Sequence, residues 1–312
     1  MAETYTEVST SPQRTEGFRP FGRVLTAMVT PFLPDRSLDV DGAARLARYL
    51  VDNGCDGVVV NGTTGESPTT SDAEKEYVIR SVVEAVGHRA RVIAGVGTPD
   101  TAHSVELARQ AEKAGAHGLL AVTPYYNKPP QSGLIAHFAA IADATELGVM
   151  LYDIPGRTGC AITTDTLVRL AEHPRILANK DAKGDLGGAS WVMARSDLAY
   201  YSGEDILTLP LLAVGAVGVV SVTGHVCSGR IDMMIACFDA GDVRAAQRLH
   251  QDMLPVCEGI FRTQGVITVK AALAQLGLPG GPVRPPLVDA TEFELAQLVL
   301  DLADGGVPGF TA

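Results

Sequence analysis

Two lysines stand three residues apart in "ILANKDAKGD", residues 176–185. Lys180 ends a short apolar run, and Lys183 follows beside Gly184 and Asp185. A lysine amine can form a Schiff base with a carbonyl compound when burial or neighbours lower its pKa enough to leave it neutral. If the run is a β-strand, Ile176, Ala178 and Lys180 share one face and Lys180 projects over apolar walls. Lys183 lies past the run, where water keeps an ammonium charged. Position alone equally allows Lys180 to snorkel to a rim without chemistry.

Three other stretches have chemical character. "GTTGES", residues 62–67, supplies Thr63, Thr64 and two glycines that let backbone N–H groups approach a ligand, which suits a carboxylate. No Gly-Lys-Ser/Thr follows, so it is not a P-loop, and alone it reads as well as an ordinary turn. "YDIPGRTG", residues 152–159, sets Tyr152 and Arg157 on either side of a Pro-Gly turn. Arginine pairs bidentately with carboxylates, and a buried tyrosine hydroxyl can relay protons. A core tyrosine and a surface ion pair are the plainer readings. "TPYYNKPP", residues 123–130, is either a working loop or a rigid proline-bounded one with packing aromatics.

The elements that must carry these residues are short apolar runs separated by amphipathic helical patterns. The runs lie at 24–29, 57–61, 91–96, 118–122, 148–153, 175–180, 199–203 and 217–222. They are apolar throughout, as strands buried on both faces should be. Eight strands alternating with helices predict an α/β fold, a (β/α)8 TIM barrel. An open doubly wound sheet is the weaker alternative, because no G-x-G-x-x-G follows the first strand. Barrel enzymes keep their chemistry at the C-terminal strand ends. The stretches above follow strands two, four, five and six, and Gly203-Glu204-Asp205 follows strand seven. Ser71 with Glu74 three residues on predicts a capping box, and Gly115 a helix end.

Past residue 228 the pattern is helical, including "VRAAQRLHQDMLPVCEGIF" and "ITVKAALAQLG". The expected division is a mobile polar extension over 1–21, the barrel over 22–241 and a C-terminal helical domain over 242–312. Residues 206–228 contain no Asp, Glu, Lys or Arg, yet Pro210 and three glycines suit a short helix and a buried strand better than a membrane span. The N-terminus has no apolar signal-peptide core.

The 312 residues include 25 Lys and Arg against 36 Asp and Glu, a net charge of −11. That balance disfavours nucleic acid and membrane surfaces as partners. An anionic substrate must be met locally, by named cations and backbone N–H groups. The five cysteines are odd in number and dispersed, which reads as reduced thiols in a cytoplasmic protein. Neither they nor the histidines show metal-ligand spacing, so no metal is expected.

Taken together, the four stretches resemble the dihydrodipicolinate synthase family of pyruvate-dependent Schiff-base aldolases, in order and spacing, from about Gly22 to the final helices. "ANKDAKGD" and "FRTQGV" are similar to the actinobacterial members. The resemblance implies Lys180 as the Schiff-base lysine for pyruvate and Tyr152 as a proton relay linked through Thr63 to Tyr126. It implies that Tyr126 reaches a neighbouring subunit's site within a homotetramer, a dimer of dimers. Thr63 and Thr64 would hold the pyruvate carboxylate, and Arg157 the carboxylate of L-aspartate 4-semialdehyde. Gly203 and the carbonyl of Val220 would line the pocket. The imine is the electron sink, so no cofactor is implied. Sister aldolases acting on sugar acids usually lack the arginine, and a catalytically silent ligand-binding barrel would have little use for the whole set. The family's lysine-inhibition site carries His, Asn and Glu in sensitive members, where this chain has Lys75, Pro99 and His103, which implies weak or absent inhibition. Asn179 stands where most relatives have Val or Ile. By alternation it faces the helix layer, where an unpaired amide is costly, so a hydrogen-bonded partner is expected.

Overall fold

The computed structural model describes residues 18–311. Eight parallel strands close a barrel in chain order: β1 (Val24–Ala27), β2 (Gly57–Val60), β3 (Arg91–Gly95), β4 (Gly118–Val122), β5 (Val149–Asp153), β6 (Ile176–Asp181), β7 (Ala199–Ser202) and β8 (Gly218–Ser221). All eight coincide with the predicted runs, β6 extending one residue past its run to Asp181. Every residue of β1, β2, β5, β7 and β8 is buried, because one face fills the barrel and the other meets the helices.

Local chemistry sets the helix ends. Asp39 caps Val40–Asp52 by accepting the Gly42 N–H, and Ser71 with Glu74 forms the predicted capping box on Asp72–Val86. Thr101–Lys113 stops ahead of Gly115, whose φ of +90° is left-handed. The uncharged stretch 206–228 folds as a helix, Thr208–Ala213, then β8, then the start of the helix Gly224–Asp239. Among the described residues no helix is long and apolar enough to cross a membrane.

Four further helices follow, Val243–Asp252, Leu254–Ile260, Gly265–Gln275 and Glu292–Asp304. The pattern over 243–261 is divided at Met253, because Pro255 begins a new helix and cannot continue the old ladder. Of the expected N-terminal extension, residues 1–17 lie outside the described residues. Residues 18–21 are anchored instead: Arg19 pairs with Asp239 at 2.7 Å, and buried Phe21 meets the Tyr201 ring beneath the barrel at 6.4 Å.

β6 departs from expectation in two places. Val149 pairs with Ile176 but Met150 with Ala178, so alternation is interrupted at Leu177. Only Ala178 and Lys180 share the row that Met150 and Tyr152 define on β5. Asn179 is fully buried, and neither atom of its amide has a hydrogen-bond partner, which overturns the expected bond. Its neighbours across the ladders are Leu151, with no polar side-chain atom, and Tyr200, whose hydroxyl approaches the amide but also goes unpaired.

Lys183, expected in water, is only 15% exposed and lies 3.3 Å from the buried Asp153 carboxylate. It also donates to the Ile162 carbonyl at 3.1 Å. The cause is a turn at Gly184: Asp181 accepts the N–H groups of Lys183 and Gly184 and folds the lysine back behind β5. Burial pushes the Asp153 carboxyl up to about 6, against the opposing pull of Lys183.

Candidate active site

Lys180 ends the inward row of β6 and is 4% exposed, with its ammonium 4.2 Å from the centroid of the Tyr152 ring. Burial brings its pKa down to about 8, against the pull of the Asp205 and Glu204 carboxylates. Asp205 accepts the Ser221 hydroxyl and the N–H groups of Val222 and Thr223, at 3.0 and 3.1 Å, so it is committed to the end of β8. The Glu204 carboxylate has no hydrogen bond or ion pair among the described residues. Burial raises its pKa, helped by Asp205 and resisted by Lys180 and Arg157.

A cavity of about 330 Å³ opens over the lysine, lined by Thr63, Thr64, Tyr152, Arg157, Lys180 and Gly203, among others. An adjoining hollow of about 250 Å³ shares Thr63, Tyr152 and Arg157 and extends to Tyr125. Residues from β2, β5, β6 and β7 thus meet at one mouth because the strand ends of a barrel converge. The Tyr152 phenol is buried, and burial raises its pKa; Arg157 and the Thr63 hydroxyl act in the opposite sense. Arg157 lies on the one-turn helix Pro155–Thr158 and donates to the Gln264 side chain at 2.9 Å. A Cβ on Gly203 would meet the Asp181 carbonyl at 3.0 Å, so only glycine leaves this wall undisturbed.

Two expected site residues are not gathered into this cavity. Val220 is fully buried lower on β8, paired with Leu25, and Val222 lines the wall instead. Tyr126 is 93% exposed with a φ of +75° and lines neither of the two hollows.

Sequence reasoning missed the support of the threonine loop. Glu66, in left-handed backbone at φ +55°, hydrogen-bonds Thr63 through its own N–H at 3.1 Å. Its buried carboxylate sits 2.6 Å from the Lys270 ammonium and accepts the Arg284 backbone N–H at 2.8 Å. Lys270 also donates to the Pro282 carbonyl, and both cations lie over the Phe32 ring, at 4.2 and 4.1 Å. The Arg284 guanidinium binds Glu74 at 2.6 Å and holds that carboxyl down at about 2. The helix Gly265–Gln275 and the segment that follows it therefore grip the loop beside Lys180. The one legible signal was Lys270 itself, a lone charge inside the apolar helix "GVITVKAALAQ".

At the positions matching the family's lysine-inhibition site, Lys75 is buried and donates to the Thr70 carbonyl at 2.5 Å. The Nε2 of His103 meets Asp72 at 2.9 Å. Among the described residues no group of three or more His, Cys, Asp or Glu side chains could hold a metal ion.

Comparison with known proteins agrees with this geometry. The chain is 68% identical to 4-hydroxy-tetrahydrodipicolinate synthase 2 of Streptomyces coelicolor over 288 residues, covering 92% of this chain and 96% of the relative. It is 67% identical to the 4-hydroxy-tetrahydrodipicolinate synthase of Acidothermus cellulolyticus, with 93% and 94% covered. Among solved structures it is similar to the lysine-bound synthase of Cyanidioschyzon merolae, with a TM-score of 0.91, 44% identity, and 93% and 99% covered. The sequence profile of the dihydrodipicolinate synthetase family matches residues 20–304, and this chain, with a closed barrel and a buried lysine near the C-terminal end of its sixth strand, belongs to that family.

Proposed function

We propose that the protein condenses pyruvate with L-aspartate 4-semialdehyde to give 4-hydroxy-tetrahydrodipicolinate, in the formation of lysine and diaminopimelate. The observation that carries the reading is Lys180, whose buried amine has a pKa of about 8 beneath a cavity that also gathers Thr63, Thr64, Tyr152 and Arg157. The amine adds to the pyruvate carbonyl, and loss of water gives an imine. Loss of a methyl proton gives an enamine, whose carbon attacks the aldehyde. The substrate's own amine then displaces Lys180 and closes the ring. The protonated imine is the electron sink throughout, so the cycle calls for no metal or organic cofactor.

In this reading Thr63 and Thr64 hold the pyruvate carboxylate, Tyr152 relays protons and Arg157 takes the semialdehyde carboxylate, with Gly203 in the cavity wall and Val220 lower on β8 beneath it. Tyr126 serves a neighbouring site in a homotetramer; its exposure supports this. Five free, dispersed cysteines favour a reducing cytoplasm. The test is borohydride trapping with pyruvate, followed by an assay of semialdehyde consumption. A pyruvate-sized mass increase on Lys180 with turnover of the semialdehyde is expected. Turnover of a sugar acid but not of the semialdehyde points to a sister aldolase, and no trapping to a silent barrel.

A further inference from the structure

The semialdehyde carries an ammonium as well as a carboxylate, and Arg157 can answer only the carboxylate. Two acidic residues line the Lys180 cavity, Glu66 and Glu204. Glu66 is committed to Lys270, at 2.6 Å, and to the Arg284 N–H. Glu204 is free among the described residues. It directly follows Gly203 at the end of β7, and its backbone is pinned: the Ser202 hydroxyl donates to its carbonyl at 2.6 Å and accepts its N–H at 3.4 Å. The barrel order then sets Arg157 after β5, Lys180 on β6 and Glu204 after β7. A cation and an anion flank the nucleophile on either side of one cavity, which is the pattern that an amino-acid headgroup complements.

We propose that Glu204 receives the ammonium of the second substrate and takes its first proton, freeing the amine for ring closure. The inference rests on the condensation reading above. Until that proton leaves, the nitrogen has no lone pair and cannot attack the imine carbon. Closure forms the bond from the substrate nitrogen to that carbon and breaks the bond from the carbon to the Lys180 nitrogen. The substrate nitrogen sheds three protons on its way from ammonium to neutral ring imine. Two restore Lys180 from protonated imine to ammonium, and one leaves to solvent; Glu204 carries the first of the three. The burial that raises the Glu204 carboxyl suits a group that must hold a proton and return it.

The experiment compares wild type, E204Q and E204D with L-aspartate 4-semialdehyde as substrate and 4-oxobutanoate, its deaminated analogue, as inhibitor. Losing the partner of a charged group predicts a fall in kcat/KM for the semialdehyde on the order of 30-fold in E204Q, with about tenfold recovered in E204D. Pyruvate trapping on Lys180 should be no weaker than in wild type, because losing the Glu204 charge lowers the lysine's pKa further and favours the neutral amine, and the KM for pyruvate and inhibition by 4-oxobutanoate should stay within about twofold. Unchanged kcat/KM in E204Q overturns the proposal. So does lost trapping, which would make Glu204 a modulator of Lys180, or weakened 4-oxobutanoate inhibition, which would make it a general cavity support. Wild type that neither traps pyruvate nor consumes the semialdehyde overturns the condensation reading, and this proposal with it.

Discussion

The Lys180 ammonium lies over the face of the Tyr152 ring, 4.2 Å from its centre. A ring face attracts positive charge, and an iminium formed on Lys180 keeps a positive charge near that place. Tyr152 therefore has two separable parts, a ring that supports the imine and a hydroxyl that moves protons. Y152F keeps the first and loses the second. It should trap pyruvate as well as wild type while kcat falls on the order of 100-fold, as loss of a proton relay predicts. Y152A should lose trapping too. Equal trapping in Y152A would show that the ring is idle.

The pH response follows from the lowered pKa of Lys180. An amine with a pKa of about 8 is roughly one-tenth neutral at pH 7, against about three in ten thousand for an unperturbed lysine at 10.5. The single-turnover rate of pyruvate trapping should rise about tenfold per pH unit below the midpoint and level off above about pH 8. The sign for stability is the same: a base with a depressed folded pKa contributes stability above its unfolded pKa and loses it as pH falls through the folded value. A trapping profile with its midpoint near 10 would contradict burial of the amine.

Cutting one partner from the Glu66–Lys270 pair leaves a buried charge uncompensated. K270M should lower stability by about 3–5 kcal/mol, read as a fall in Tm, and raise the KM for pyruvate because the threonine loop loses its hold. The double variant E66Q/K270M should recover much of the stability. Additive losses in the double variant would show that the two side chains do not act as a pair.

Asn179 offers an opposite case, since its buried amide stabilises nothing that the structure shows. N179V removes two unmet polar atoms at similar volume and should raise stability by about 1 kcal/mol, seen as a higher Tm with unchanged kcat. A lower Tm would mean that the amide is bonded through water.

Lysine should inhibit weakly or not at all. An ammonium ligand would meet the buried Lys75 cation, and the Asp72 carboxylate beside it is already shared by Lys75 and His103. Strong inhibition at low millimolar lysine in a coupled assay would overturn this.

What the sequence made legible was whatever local pattern encodes. The eight strands announce themselves as apolar runs, and one helix start as the Ser71 capping box. Lys180, Tyr152, Thr63 and Arg157 could be grouped because barrel geometry gathers strand ends without any need to know the contacts. What stayed hidden depends on register and long-range closure. Lys183 looked solvated because its partner, Asp153, sits on another strand and is reached only through the Gly184 turn. Asn179 looked satisfiable because the sequence does not say that Leu151 and Tyr200 flank it. Glu66 looked like part of a turn because Lys270 and Arg284 come from the far end of the chain.

That last arrangement bears on how the protein is made. The strands that form the barrel are all translated before residue 222, whereas the grip on the threonine loop arrives with Lys270 and Arg284. A nascent chain can carry its nucleophile long before the loop that would seat a substrate has its buried counter-ion. A stretch made after every strand of the barrel is thus the part that finishes the pyruvate-carboxylate side of the site.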